Sequence, residues 1–215
     1  MRRNAYAVAV LAGLIAGLLG ARPLLGAEAA TAEKEKTPDV VYVFTPRDVV
    51  AKMLELAEVR KGDVLYDLGC GDGRIVIAAA KKLHCQAVGF EIDDQRVAEA
   101  RKNVKKAKVE NLAKIEQKDI FTIDLNPASV VTLYLLPELN VKLIPQLAKL
   151  NPGSRIVSHD FDMKGVLPDK VLHMTSKEDN VEHMLYLFTT PLKKDPKVKK
   201  AKSQPSPSPS GRGSG

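Results

Sequence analysis

One short stretch rich in glycine constrains the fold of this chain more than any other. It runs Tyr66-Asp67-Leu68-Gly69-Cys70-Gly71-Asp72-Gly73, after the apolar pair Val64-Leu65 and before the apolar run 75–80. That order predicts a strand, a tight loop and a helix, which together form the first unit of a doubly wound α/β sheet. The glycines permit sharp turns and a close approach to a ligand, and the helix is expected to direct free N–H groups into the crevice.

The glycine pattern differs from the fingerprint of dinucleotide-binding sites. That fingerprint is G-x-G-x-x-G; Gly69 and Gly71 fit it, but Arg74 stands at the third glycine position and the additional glycine is Gly73. Asp67, at the end of the strand, would repel a pyrophosphate and attract an ammonium group. The loop therefore favours a ligand that carries a positive charge there.

The run from Asp67 to Gly73 closely resembles the first motif of the class I S-adenosylmethionine-dependent methyltransferases. The resemblance implies that S-adenosyl-L-methionine is the cofactor and that its methionine end contacts this loop. Glu91 ends a second apolar strand, 24 residues after Asp67, where an acidic side chain can accept both ribose hydroxyls. A helix-capping turn with a solvated Glu91 is the alternative. The cofactor-binding residues implied so far are Asp67, Gly69, Cys70, Gly71, Gly73 and Glu91.

Two further cofactor contacts are implied after the third predicted strand, which lies within residues 111–118. In the methyltransferase family an acidic residue at this point commonly contacts the adenine amino group, with an apolar neighbour against the ring. The resemblance assigns these contacts to Asp119 and Ile120. Asp119 also suits an ordinary turn, which is the alternative interpretation.

The remaining periodic segments predict the rest of the fold. The apolar run 129–135 is typical of a central parallel strand that is covered on both faces. Residues 154–158 predict a fifth strand, and 171–174 with 181–189 predict an antiparallel pair. A first helix is expected to start with Thr45 as its capping residue. The resemblance implies the class I methyltransferase fold, a doubly wound, Rossmann-like sheet of seven strands with the last strand antiparallel.

The net charge of +7 suggests nucleic-acid binding only until its distribution is considered. Residues 30–191 hold 23 basic and 24 acidic side chains, so the excess of positive charge lies at the two ends. No nucleic-acid binding is therefore predicted through the folded domain. The two cysteines do not make a disulfide framework, and Cys70 is interpreted as a small packing residue. The spacing of possible ligands predicts no metal site.

Four parts of the chain differ in composition. Residues 1–30 begin with Arg2-Arg3, continue with an apolar stretch and end near a small-x-small site, so they predict a signal peptide or, if uncleaved, an N-terminal membrane anchor. Export conflicts with a cofactor that is made in the cytosol, and the side of the membrane stays open. The other parts are a linker (31–39), the methyltransferase domain (40–191) and a basic disordered tail (192–215).

Four segments resemble one branch of these enzymes, the protein-lysine methyltransferases whose mitochondrial members modify the adenine nucleotide translocase and the ATP synthase c subunit. The resemblance implies that the acceptor is a lysine of a protein, and a membrane protein where the N-terminal segment brings the domain to a membrane. Phe44 stands where the resemblance leads us to expect proline. The segments are Tyr42-Val43-x-Thr45-Pro46, residues 66–76, Thr132-Leu133-Tyr134-Leu135-Leu136-Pro137 and Arg155-Ile156-Val157-Ser158-His159.

Methyl transfer to an amine is a direct displacement, in which the protein aligns a neutral nucleophile and excludes water. Lysine must first lose its proton, which desolvation favours. Tyr134 and Glu138 follow the central strand and are predicted to line the acceptor entrance; a core tyrosine and a helix-start acid are the alternatives. His159, after the fifth strand, is a further candidate. A small-molecule methyltransferase and a cofactor-binding protein without catalysis are the alternative functions.

Overall fold

Short apolar strands alternate with amphipathic helices along this chain, as a doubly wound sheet requires. The computed structural model describes residues 43–197. Its helices are α1 (Arg47–Leu56), α2 (Arg74–Leu83), α3 (Asp94–Ala107) and α4 (Pro137–Leu147). Its strands are β1 (Val64–Leu68), β2 (Gln86–Glu91), β3 (Ala113–Gln117), β4 (Val130–Leu133), β5 (Arg155–His159), β6 (Val166–Leu167), β7 (Lys170–Thr175), β8 (Glu182–Thr189) and β9 (Lys193–Lys194).

Seven of these strands form one sheet in the order β3-β2-β1-β4-β5-β8-β7. Strands β1 to β5 pair in parallel, whereas β8 runs antiparallel to both β5 and β7. The strand order reverses between β1 and β4, so the carboxyl ends of these two strands border the switch point at which such sheets bind ligands. The predicted seven-stranded sheet with its last strand antiparallel is confirmed.

Two apolar layers, one on each face of the sheet, hold the helices in place. On one face, helices α1 to α3 bury side chains such as Met53 and Ala100 against strand residues that include Leu65. On the other face, α4 buries Leu143 against strand residues that include Leu133. Because both faces are covered, the central strands are apolar along nearly their whole length.

The start of the first helix differs from the prediction. Pro46 occupies the N-cap position of α1 and has no side-chain acceptor for the first turn. The N–H of Arg47 donates instead to the carboxylate of Glu178. The hydroxyl of Thr45 instead lies 3.1 Å from Nδ1 of His159. Asp48 accepts a 2.9 Å hydrogen bond from the Ser176 hydroxyl, which ties α1 to the turn between β7 and β8. The prediction that Thr45 caps the helix is wrong, because a distant partner competes with the local backbone for its hydroxyl.

Regular structure continues past residue 191, where the methyltransferase domain was predicted to end. The two residues of β9 pair antiparallel with β6. Nζ of Lys193 lies 2.6 Å from a carboxylate oxygen of Asp169, so the ribbon is also held by an ion pair. The first residues of the predicted tail therefore belong to the folded unit.

The predicted N-terminal segments, 1–30 and 31–39, and the chain after residue 197 lie outside the described residues. Their assignment as signal peptide or anchor, linker and tail stays a prediction. Within residues 43–197, no helix combines the length and the apolar character that crossing a bilayer demands.

We expect Gly89→Ala to disturb the glycine loop through β2. A Cβ at Gly89 would lie 2.6 Å from Sγ and 2.8 Å from Cβ of Cys70, and 3.0 Å from Cδ1 of Ile115. Such overpacking lowers the free energy of unfolding by about 1–3 kcal/mol. Urea unfolding of the purified protein measures this loss.

The matched variant is Cys70→Ala, which removes the sulfur that the new methyl group would meet. The double variant should lose less free energy of unfolding than the sum of the two single variants, because they share one contact. A Gly89→Ala protein as stable as the parent would contradict this account of the packing.

Candidate active site

The predicted site residues lie at one edge of the sheet, where the carboxyl ends of four parallel strands meet. Asp67 and the glycine loop lie at the end of β1, and Glu91 is the last residue of β2. Asp119 and Ile120 follow β3, Tyr134 follows β4, and Glu138 lies in the first turn of α4. The fold therefore gathers at one edge residues that are spread over some seventy positions of sequence.

The glycine loop is held against the end of β2 by backbone hydrogen bonds. The N–H groups of Gly69 and Cys70 both donate to the carbonyl oxygen of Phe90, at 2.9 and 3.0 Å. Gly69 has φ +78°, and a Cβ there would also lie 2.9 Å from a side-chain carbon of Leu135. A glycine is needed at this position because both the left-handed backbone and the close neighbour exclude a side chain.

Glu91 joins the same loop through its side chain. One carboxylate oxygen accepts a 3.0 Å hydrogen bond from the N–H of Gly71, and the other accepts from the N–H groups of Ile92 and Asp93. A carboxylate offers about four acceptor positions. Because three are used, engaging both hydroxyls of a ribose requires the carboxylate to release one of these backbone groups.

The backbone N–H groups at the start of α2 are less available to a ligand than the sequence predicted. The N–H of Arg74 donates to Oδ1 of Asp72 at 3.1 Å, and the N–H of Gly73 donates to the carbonyl of Cys70. The guanidinium of Arg74 pairs with the Asp72 carboxylate at 2.7 Å and donates from Nη1 to the carbonyl oxygen of Thr45 at 2.8 Å. Two of the N–H groups expected to point at a ligand are therefore engaged within the protein.

Asp67 is a buried carboxyl group at the end of β1. It is 3% exposed and accepts a 2.7 Å hydrogen bond from the Thr132 hydroxyl on β4. Burial raises the pKa of Asp67 to about 7, and the negative charges of Glu91 and Asp72 act in the same direction. A ligand ammonium group beside Asp67 would offset this burial and favour the ionised form.

Asp119 and Ile120 lie where β3 leaves the sheet. The N–H of Lys118, just before them, donates to the carbonyl oxygen of Glu91, which places this turn beside the end of β2. Oδ1 of Asp119 accepts a 3.0 Å hydrogen bond from the N–H of Phe121. The carboxylate thus shapes its own turn, as the alternative interpretation expected, and the adenine contacts of Asp119 and Ile120 remain predictions.

Tyr134 and Glu138 differ in their surroundings. The Tyr134 ring is half-buried, with its centroid 4.0 Å from that of His159 and 6.3 Å from that of Phe161. Burial raises the pKa of Tyr134 to about 12, and the charge of Asp160 and a hydrogen bond with it add to the effect. Glu138 is exposed in the first turn of α4. Tyr134 is thus a neutral, fixed hydroxyl, whereas Glu138 is a charge at the rim.

His159 belongs to a buried polar cluster beside Tyr134. Its Nε2 atom lies 2.9 Å from Nδ1 of His183 and 3.3 Å from a carboxylate oxygen of Asp160. Burial lowers the pKa of His159 to about 4, although the charge of Asp160 opposes this shift. The ring is therefore neutral at physiological pH, which makes His159 a hydrogen-bonding and packing group there.

Several residues of this region were not predicted from the sequence. His183 and Asp160 come together only because β8 lies antiparallel beside β5. Asn140, on α4, donates to the Ser158 hydroxyl and to the carbonyl of Phe161, and so holds the exit of β5. None of these residues belongs to a local motif. The strand pair predicted from the periodicity was β7 with β8, whereas the histidine cluster depends on the pairing of β8 with β5.

Comparison with known proteins agrees with this geometry. Residues 67–170 match the family model described as the ANTKMT methyltransferase domain. A protein-lysine N-methyltransferase of Saccharolobus islandicus is 46% identical over 153 residues, which are 70% of this chain and 94% of the relative. The chain belongs to the family of protein-lysine methyltransferases. The resemblance drawn from the motifs around the glycine loop is thereby confirmed, as is the assignment of the chain as an S-adenosylmethionine-dependent methyltransferase.

Two other proteins are similar over two thirds or more of this chain. A human lysine N-methyltransferase of the ATP synthase c subunit is 30% identical over 165 residues, which are 75% of this chain and 69% of the relative. A crystal structure described as an RNA methyltransferase from Salinibacter ruber in complex with S-adenosyl-L-homocysteine is 49% identical. The match covers 68% of this methyltransferase and 93% of that chain, with a TM-score of 0.64.

The residues present suit S-adenosylmethionine. The loop is closed against β2 with glycines at its close approaches, the buried carboxyl of Asp67 suits an ammonium group, and Glu91 offers a carboxylate for hydroxyl groups. The bound cofactor supplies a methyl group on a positively charged sulfur, which is a strong electrophile. The assignment of individual cofactor contacts to Asp67, Glu91, Asp119 and Ile120 remains a prediction.

We expect Glu91→Ala to weaken binding of S-adenosylmethionine. The substitution removes acceptors for ribose hydroxyls and also the anchor of the Gly71 N–H group. Loss of such charge-assisted hydrogen bonds costs about 1.5–3 kcal/mol, or roughly a tenfold to hundredfold rise in Kd. Titration calorimetry measures it, with Glu99→Ala on the exposed face of α3 as the control. Unchanged affinity in Glu91→Ala would remove this residue from the cofactor site.

We expect Asp67→Asn to stabilise the cofactor-free enzyme at neutral and alkaline pH. Because the folded-state pKa of Asp67 is raised to about 7 from 3.8, the wild type loses stability as pH rises between these values, and the amide does not. The variant should gain about 1–3 kcal/mol over the wild type at pH 8 and little at pH 4.

Urea unfolding at a series of pH values measures this difference. Glu110→Gln, which removes one exposed carboxylate, is the control for the change in net charge. Parallel pH profiles for the wild type and Asp67→Asn would show that the Asp67 carboxyl is not strained by burial.

Proposed function

We propose that this methyltransferase transfers a methyl group to the side-chain amine of a lysine in a protein substrate. The observation that carries the proposal is the 46% identity to a protein-lysine N-methyltransferase over 94% of the length of that relative. Relatives described as lysine methyltransferases of the ATP synthase c subunit and of the adenine nucleotide translocase support it at 30–33% identity.

In methyl transfer to an amine, the main roles of the protein are to align the two reactants and to exclude water. The lysine Nζ atom, once neutral, forms a bond to the methyl carbon as the bond from that carbon to sulfur breaks, and the sulfur keeps the electron pair. Pre-alignment of the two reactants replaces a bimolecular encounter, and exclusion of water favours the neutral amine. The half-buried wall formed by Tyr134 and Phe161 suits this task.

Tyr134 and Glu138 have complementary roles in the proposed site. The Tyr134 hydroxyl, which is fixed by Asp160 and stays protonated, can accept a hydrogen bond from the amine and hold its lone pair towards the cofactor. The exposed carboxylate of Glu138 attracts the lysine ammonium before it enters. His159, which packs on the Tyr134 ring, positions the phenol rather than reacting.

RNA is a second candidate acceptor, because the Salinibacter ruber protein at 49% identity is described as an RNA methyltransferase. Binding of RNA depends on a basic surface that neutralises phosphates. Residues 30–191 of this chain hold 23 basic and 24 acidic side chains, and lysines dominate only the segment after residue 192. This balance favours a protein over RNA.

We also propose that the N-terminal segment brings the enzyme to a membrane and that its substrate is a membrane protein. The support is the order of Arg2-Arg3, an apolar stretch over residues 5–20 and a possible cleavage site. An uncleaved anchor facing the cytosol would keep the enzyme with its cofactor supply.

Lysine methylation is tested by incubating the full-length enzyme and labelled cofactor with membrane proteins, soluble proteins and total RNA of the source organism. We expect label on lysine side chains of proteins, identified by mass spectrometry of peptides, and predominantly in the membrane fraction. Label confined to RNA or to small metabolites, with no modified lysine, would refute the proposed acceptor.

In the same assay, Tyr134→Phe and Glu138→Ala should lower turnover by about tenfold or more while the Kd for the cofactor changes less than about twofold. The loss arises because both residues contact the acceptor and not the cofactor. Tyr66→Phe, a half-buried tyrosine of β1 whose ring packs on Phe90 at 4.9 Å, is the control. Equal losses of turnover and cofactor affinity would assign the two residues to the cofactor site instead.

A further inference from the structure

Three side-chain atoms converge at the carboxyl end of β5, outside the glycine loop. They are Nε2 of His159, Nδ1 of His183 and a carboxylate oxygen of Asp160. The two ring nitrogens are 2.9 Å apart, His183 Nδ1 lies 3.1 Å from the Asp160 oxygen, and His159 Nε2 lies 3.3 Å from that oxygen. Three atoms with lone pairs at these separations repel one another unless a proton or a cation lies between them.

The other polar atom of each of these side chains already has a hydrogen-bond partner. The other ring nitrogen of His159 meets the Thr45 hydroxyl at 3.1 Å, and the other ring nitrogen of His183 meets a carboxylate oxygen of Asp179 at 3.2 Å. The second oxygen of Asp160 accepts a 3.0 Å hydrogen bond from the N–H of Met184. Each side chain is thus oriented from behind, so that its remaining lone-pair atom points to the shared centre.

Hydrogen bonds of this kind usually support the side chains that bind a metal in a protein. A histidine ligand generally donates its second ring N–H to a carboxylate, a carbonyl or another oxygen, which fixes the tautomer and the orientation of the ring. The carboxylate of Asp179 is this partner for His183, and the hydroxyl of Thr45 is this partner for His159. The cluster therefore contains both the inner atoms and their supports.

We propose that His159, Asp160 and His183 form a binding site for a zinc ion. Two imidazole nitrogens and one carboxylate oxygen are a common three-residue ligand set for zinc, with a fourth position left to water or another ligand. The site is separate from the predicted cofactor contacts, and it does not depend on the identity of the methyl acceptor.

The distances suit this ion with a small adjustment. Zinc binds nitrogen and oxygen at about 2.0–2.1 Å, so the ligand atoms of a tetrahedral site lie about 3.3 Å apart. The longest side of the triangle is already 3.3 Å, and the others are 3.1 and 2.9 Å. The largest change is needed between the two histidines, whose rings are tilted by 48° and can separate by small rotations.

Burial and charge also favour a divalent cation. His159 is fully buried and His183 is 5% exposed, so the centre is shielded from water on the histidine side. The carboxylates of Asp160 and Asp179 balance two positive charges.

The fourth position would lie on the side of Tyr134. The ring of this residue packs on His159 at 4.0 Å, and its hydroxyl bonds Asp160. A bound ion would hold β5, its exit loop and β8 together directly beneath the proposed acceptor entrance. Its expected effects are therefore on the rigidity of this wall and on the thermal stability of the enzyme.

Zinc binding is tested on the full-length enzyme after treatment with a chelator and dialysis. We expect titration calorimetry with zinc chloride to give one site per chain, and zinc to raise Tm. Cobalt(II), used as a spectroscopic substitute for zinc, should give the visible absorption of a four-coordinate site with nitrogen and oxygen ligands. This measurement uses the wild-type enzyme, so it does not depend on the folding of a variant.

His183→Ala and the nearly isosteric Asp160→Asn should each weaken zinc binding by about a hundredfold or more, because each removes an inner ligand. Asp179→Asn should weaken it by about 10–100-fold, since it alters only the outer support. His173→Ala, an exposed histidine of β7, is the control and should leave binding unchanged. Circular dichroism of each variant checks that the sheet is retained.

The proposal is overturned if the wild type takes up no zinc at micromolar concentration, which would mean that protons alone hold the cluster together. It is equally overturned if zinc binds but Asp160→Asn and His183→Ala bind it as the wild type does, because the ion would then lie elsewhere. Methyl transfer is not a readout of these measurements, so their failure leaves the proposed acceptor untouched.

Discussion

The close contact between the glycine loop and the end of β2 is the constraint on which the active site depends. Two loop N–H groups share the carbonyl of Phe90, and a third bonds the carboxylate of Glu91. This contact is possible only because Gly89 leaves space for Cys70, whose sulfur fills the position of a missing side chain. The burial that raises the pKa of the Cys70 thiol also keeps it inert. Cys70 therefore belongs to the loop as a packing group, and the loop presents backbone to its ligand.

The buried carboxyl of Asp67 opposes the stability of the fold as long as it has no positively charged partner. A well-packed apolar strand would be expected to end with an apolar residue here, next to Leu68 and Thr132, which are fully buried. The carboxyl is instead kept in a position where its ionisation is unfavourable without a partner. A ligand that places a positive charge beside Asp67 would remove this penalty, and the free energy of its binding would include that relief.

The sequence predicted the sheet because strands depend on local patterns, and the resemblance of its motifs to known methyltransferases implied the cofactor and the acceptor class. Apolar runs define the strands, and the glycine loop with Glu91 forms a motif whose members lie in one strand-loop-helix-strand unit. The cluster around His159 could not be predicted in this way. Its members are held together by the antiparallel pairing of β5 with β8, which leaves no periodic signal at positions 160, 179 and 183. The prediction that Thr45 caps α1 is wrong for the same reason, because helix capping is a local rule and the partner of Thr45 lies 114 residues away.

Thr45 also links the two halves of the active site. Its carbonyl oxygen accepts a hydrogen bond from Arg74, whose guanidinium pairs with a carboxylate of the glycine loop. Its hydroxyl contacts His159, which supports the ring of Tyr134. Thr45 is therefore linked to the glycine loop through its backbone and to the residues around Tyr134 through its side chain. Phe44, whose exposed ring has its centroid 4.4 Å from the Arg74 guanidinium, covers the same junction. A proline, which the resemblance leads us to expect at that position, would lack both this ring and its cation–π contact. Phe44 therefore changes the surface beside the cleft, while the hydrogen bonds of Thr45 do not depend on its side chain.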